Sequence, residues 1–160
     1  MPLLTPEQCR EQCRVDGDYD DALLLALLAA AEDSAAAYLN RAVYADADEL
    51  EAAQDALAET LAGAQSSYAA ANEVADAEID STKAQAMREV AQAKLDAVKQ
   101  SATRTLAGIV ANGSILAAIR LTLGHLYANR ESVVVESATA QELPMGVTAL
   151  LRPYRQVQMP

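Results

Sequence analysis

"SILAAIRLTLGHLYANRESVVV", residues 114–135, carries the chain's most regular run of bulky apolar residues. Ile115, Ile119, Leu123 and Leu126 recur at steps of three and four, which places them on one face of a helix running from Ile115 to about Asn129. Asn112 and Gly113 stop whatever precedes it, and Ser114 offers a fresh N-cap. His125 is the next residue round from the apolar stripe. No Ser, Cys or carboxylate is spaced to activate it, so it reads as a packing or interface residue rather than a catalyst. The "SVVVE" that follows is β-prone but too short to form a sheet within this chain, and suits pairing with a neighbouring subunit.

Working outward, a matching stripe lies near the N-terminus. Leu24, Leu27, Leu28, Ala31, Ala35 and Tyr38 have helical spacing over about Tyr19 to Leu39, and the acids Asp18, Asp20 and Asp21 stand at the favourable end of that helix. The stripes predict one bundle with Leu24, Leu27, Leu28, Ile119, Leu123 and Leu126 in its core. Ahead of it, Thr5 and Gln8 form a capping box with Pro6 at the first helical position, giving a short helix from about Pro6 to Arg14. "NRAVYAD", residues 40–46, breaks the helical pattern and has room for a few extended residues.

From Asp48 to Val110 there is no proline and only Gly63 and Gly108, so long helices are predicted. One uninterrupted helix would be roughly 90 Å long and could not bury its own stripe. Charge suggests a fold-back: residues 46–80 hold ten acids and no base, whereas 81–112 hold two acids and five bases. An antiparallel hairpin follows, with a second capping box at Thr82 and Gln85; a turn at Gly63 to Ser67 is the alternative.

Composition narrows the function. The chain has 160 residues and a net charge of −11, with no Phe or Trp, so bulk for a thick core is scarce and close-packed helices or partner subunits are favoured. Such a surface lacks the basic stripe that grips phosphates, but it suits the repelling wall of a DNA channel. Cys9 and Cys13 share a helical face without further ligands nearby, and read as small apolar residues rather than a zinc site or disulfide. "MPLLTPEQ" carries no signal-peptide pattern, and the apolar run Ala22 to Ala31 is about ten residues, short of a span of about twenty. The expectation is a soluble chain without membrane contact, made in a cytoplasm.

The chain closes on "ELPMGVTALLRPYRQVQMP". Pro144 opens a short helix to about Leu151 and Pro153 closes it. The polar residues 152–160 hardly fold alone, and their Tyr and two Arg have the chemistry of an interface anchor.

"CRVDGDYDDALLLALLAAAEDSAAAYLNRAVYAD", "ILAAIRLTLGHLYANRESVVV" and "ELPMGVTALLRPYR" together resemble the tailed-bacteriophage head-tail connector (adaptor) family. The resemblance covers about residues 4–50 and 108–155, and the stretch between looks like an insertion relative to other members. It implies an all-α fold with a connector bundle of residues 1–47 and 112–151 and a C-terminal docking arm over 152–160; the inserted helices over 48–111, predicted from their own residues to project from that bundle, lie outside the resemblance. It further implies a ring of twelve copies beneath the portal in the virion, at the head-tail junction. That ring extends the DNA channel without sequence-specific binding and carries a stopper or tail-completion protein; no cofactor or catalytic residue is implied. Portal docking falls on Leu150, Leu151, Arg152, Pro153, Tyr154 and Arg155. His125, Tyr127, Asn129, Arg130 and Glu131 mark a helix-end corner facing a neighbouring protomer. The rival readings are a terminase small subunit-like DNA-packaging protein, which lacks its basic recognition helix here, and a generic helical-hairpin scaffold.

Overall fold

A computed structural model describes residues 2–129 and 146–157. It is an all-α structure of two compact units, residues 1–47 with 109–160 and residues 48–108.

The first unit begins with α1, Pro6–Cys13, closed at its start by the Thr5–Gln8 capping box in both directions. Arg14, in the left-handed region at φ 56°, ends it. The second helix, α2, spans Asp21–Leu39; it starts two residues later than the acid run suggests, leaving Tyr19 exposed. Asn40 terminates α2 with φ 53°, a conformation its short polar side chain tolerates. The apolar run that reads as about ten residues thus belongs to a helix of 19, long and apolar enough by length and composition to cross a membrane. Five of its residues, Leu24, Leu28, Ala31, Ala35 and Leu39, are nevertheless buried within the unit, and Glu32 and Asp33 interrupt its apolar character.

Two short strands follow the chain's exit and return. Val43–Tyr44 (β1) pairs in parallel with Ile109–Val110 (β2), the amides of Ile109 and Ala111 donating to the carbonyls of Ala42 and Tyr44 at 2.9 and 2.8 Å. Parallel strands need a long crossover. Here residues 48–108 supply it. Ile109 and Val110, expected at the end of a helix, are therefore extended.

Helix α6, Gly113–Ala128, lies against α1 and α2. Its cap is Asn112, whose Oδ1 accepts from the amides of Ser114 and Ile115, so Ser114 is not the cap. Ile115, Ala118, Ile119 and Leu123 are buried with Leu24 and Leu28. Leu126 is only half-buried, one turn past the last core position, and Leu27 packs at the core's edge. Gly124 faces α1, where an added Cβ would be in ordinary contact with the end of the Gln12 side chain at 3.4 Å. The unit closes with α7, Val147–Leu151, which ends at Leu151 as expected, and a separate 3-10 turn over Arg152–Tyr154 carries the chain through Pro153. Pro144 and the "SVVVE" segment lie outside the described residues.

The second unit is a helical hairpin: α3 (Ala47–Asp55, its first residue counted with the other unit) and α4 (Leu57–Asp76), then α5 (Ser81–Leu106) packed on α4. The chain turns between Ala77 and Asp80, and α4 runs unbroken past Gly63 to Ser67. Asp80 caps α5, accepting from the amides of Thr82 and Lys83; the expected box at Thr82 and Gln85 does not form, because Thr82 lies inside the helix with its amide already bonded to Asp80, and Gln85 donates to Glu89. Arg88 reaches Asp76 at 2.7 Å and Lys83 reaches Glu78 at 2.5 Å, both across the turn. Gln54 donates to the Leu106 carbonyl at the other end of the hairpin.

Candidate functional site

Two groups of residues singled out by the sequence lie at opposite ends of α2. That helix rises about 27 Å over its 19 residues, so they do not form one site.

The first group is the corner at the end of α6. The Tyr127 hydroxyl donates to Asp20 Oδ2 at 2.8 Å, tying the end of α6 to the start of α2. Asp20 therefore serves this tie and does not cap α2 through its side chain. Asn129 folds back over the last turn: its amide and its Nδ2 both donate to the His125 carbonyl, at 2.9 and 3.0 Å, and Nδ2 lies 3.2 Å from His125 Nδ1. The His125 ring is exposed and engaged by Asn129, an arrangement that shapes a helix end. Arg130 and Glu131 lie outside the described residues. Nearby, Arg10 bridges Glu7 and Asp21 and so joins α1 to the first turn of α2.

The second group is the C-terminal segment, expected as an arm that orders on another subunit. The structure seats it on its own bundle. Leu151 is 1% exposed and Leu150 and Tyr154 pack against the same core. The Gln156 amide donates to the Leu39 carbonyl at 2.8 Å, Arg41 Nη1 donates to the Tyr154 carbonyl, and the Arg155 guanidinium stands 5.4 Å from the centre of the Tyr38 ring. What pulls the segment down is burial of Leu151 beside the end of α2, an effect stronger than the polarity of its neighbours. Of the six residues assigned to docking, Arg152, Pro153 and Arg155 are exposed. Sequence reasoning missed Arg41, Tyr38 and Leu39 as the seat. The two consecutive leucines in a polar tail were the available signal.

Electrostatics within the first unit centre on Glu32. Its Oε1 accepts from the Leu3 amide at 2.6 Å, and burial pushes its carboxyl above the usual range, against that hydrogen bond. Burial likewise raises the Cys9 and Cys13 thiols, which disfavours the reactive thiolates. Among the described residues no cluster of three or more His, Cys, Asp or Glu could hold a metal. On either flank of the buried Leu24, Leu23 and Leu25 are partly exposed, at 38% and 36%.

The bundle is thus tied at both ends of α2, by Tyr127 to Asp20 at one and by Gln156 to the Leu39 carbonyl at the other. The sequence profile of the Phage gp6-like head-tail connector protein family matches residues 5–99. The chain belongs to this family, and its role is that of a structural head-tail connector. The matched span continues through α3, α4 and most of α5, and ends before the "GHLYANRE" and "LLRPYR" motifs. Comparisons with curated proteins and with solved structures give no match.

Proposed function

We propose that the chain is a non-enzymatic subunit of a twelve-membered ring beneath the portal, continuing the DNA channel and presenting a platform to the stopper or tail-completion protein. The observation that carries this reading is the family match over residues 5–99, which makes the head-tail junction of the virion its place of work. The net charge of −11 fits a channel lining: a ring of such chains has a strongly negative field, and acids facing the lumen keep DNA from adhering. The exposed Leu23 and Leu25 on α2 are apolar surface of the kind a neighbouring protomer covers. Arg152, Pro153 and Arg155, held on the bundle by Leu151 and Tyr154, offer the portal a preformed contact whose guanidinium groups can fork onto carboxylates. The corner at His125, Tyr127 and Asn129 shapes the end of α6, which meets a neighbouring protomer. The protein is made in the host cytoplasm and joins heads there.

The test is complementation in vitro. Heads assembled without this chain should fail to join tails, and adding the purified chain should restore joining. Tails joining equally well without it would remove the proposal.

A further inference from the structure

The hairpin has an open apolar side. The buried residues of these helices are Ala75 on α4 and Ala84, Ala91, Leu95 and Ala102 on α5, and four of these five are alanines. Small side chains bring the helices close but remove little apolar area from water. Beside the seam runs a groove of about 660 Å³, lined by Tyr68, Ala71 and Val74 from α4 and by Met87, Val90 and Val98 from α5. Val74 and Val90 are 61% and 55% exposed. Such a surface calls for a cover.

Charge identifies the cover. Lys94 lines the groove on the α5 side, exposed and without an ion pair among the described residues. Lys83, also lining it, pairs with Glu78 but keeps a side chain 64% exposed. The outer face of α4 has the complementary character. Glu59, Ala62, Ser66, Ala69, Ala70 and Glu73 are all exposed and fall on one side of the helix, a ridge of small side chains with a carboxylate near each end. Neither Glu59 nor Glu73 has an ion pair among the described residues.

We propose that the α4–α5 groove of one copy receives the acidic outer ridge of α4 from a second copy of this chain. The small residues of the ridge enter between Tyr68, Val74, Val90 and Val98, and its carboxylates meet Lys94 and Lys83. Groove and ridge are different surfaces, so each copy uses both and the contact is heterologous, the type that repeats around a closed ring. This rests on the ring reading above and gives residues 48–108 a role in it.

The test uses the purified full-length chain, its mass followed by light scattering over a concentration series at low and high salt. Wild type should associate, less tightly as salt rises. Lys94→Glu, and separately Glu59→Lys with Glu73→Lys, alter only exposed positions, and circular dichroism checks that each stays folded. Each variant should weaken association by about tenfold or more, because like charges then face each other. An equimolar mixture of the two should recover it, since alternate copies again present opposite charges. Wild-type association by either reversed chain alone, or no gain on mixing, overturns the contact. So does a wild-type chain that stays monomeric. Attachment to portal-bearing heads, measured in parallel, separates this from the ring reading: reversed chains that self-associate normally and still attach defeat the groove contact alone, whereas wild type that neither associates nor attaches defeats both.

Discussion

Leu123→Ala is the substitution that most directly tests the bundle. Leu123 is fully buried beside Ile119, Leu24 and Leu28. The change deletes three carbon atoms, which at about 0.8 kcal/mol each is about 2.4 kcal/mol of lost transfer free energy. Ala31, Ala35 and Ala118 are part of the same core and have no side chain to swing into the space, so a cavity term adds to this and the total should be about 3 to 4 kcal/mol. In urea, with a slope of about 2 kcal/mol/M, the unfolding midpoint of this unit should fall by about 1.5 to 2 M while the slope stays constant. Leu121→Ala, on the same helix but 47% exposed, is the control and should change stability by less than about 0.5 kcal/mol. A loss below about 1 kcal/mol at Leu123 would mean that its cavity collapses or that the core is not where the structure places it.

Three other outcomes are expected. Asp80→Ala removes the acceptor for the Thr82 and Lys83 amides and should cost about 1 kcal/mol, read from the thermal transition of the hairpin; an unchanged transition would show that water caps α5 equally well. Glu32 has a folded-state pKa above its unfolded value, so folding takes up protons and its contribution to stability falls as pH rises through that interval; it is least favourable when the carboxylate is fully ionised. Glu32→Gln should therefore match or exceed wild-type stability at pH 7, with its relative advantage shrinking below the carboxylate range, and a larger advantage at low pH would reverse the assigned sign. Arg152→Ala, at an exposed position, should leave the melting temperature nearly unchanged yet weaken attachment to portal-bearing heads; unchanged attachment would move portal docking to another surface.

The periodic elements were legible because their chemistry is local. The stripes at Leu24, Leu28, Ile115, Ile119 and Leu123 each repeat within one helix, and the charge split on either side of residue 80 marks the hairpin. The two misplaced caps share one cause. In "DST" and "NGS" an Asx residue stands two positions before a Thr or Ser, and both could cap; Asp80 and Asn112 do so, each reaching two successive amides. The pairing of Val43 with Ile109 depends on residues far apart in the chain, and two-residue strands leave no alternation to read. The seat of the C-terminal segment was illegible for the same reason, since Leu39, Arg41 and Leu151 acquire their relation only once α2 and α7 are packed. At the corner, the structural role of His125 was legible from its place beside the stripe but its partner Asn129 was not, and the tie between Tyr127 and Asp20 likewise belongs to tertiary structure.

Whether this connector forms a ring under the portal can be seen by electron cryomicroscopy of portal-bearing heads incubated with the purified chain. A ring should appear as an added annulus of helical density at the portal vertex alone, coaxial with the channel and containing twelve copies. Heads whose portal vertex is unchanged by saturating protein, or density bound elsewhere on the capsid, would contradict it.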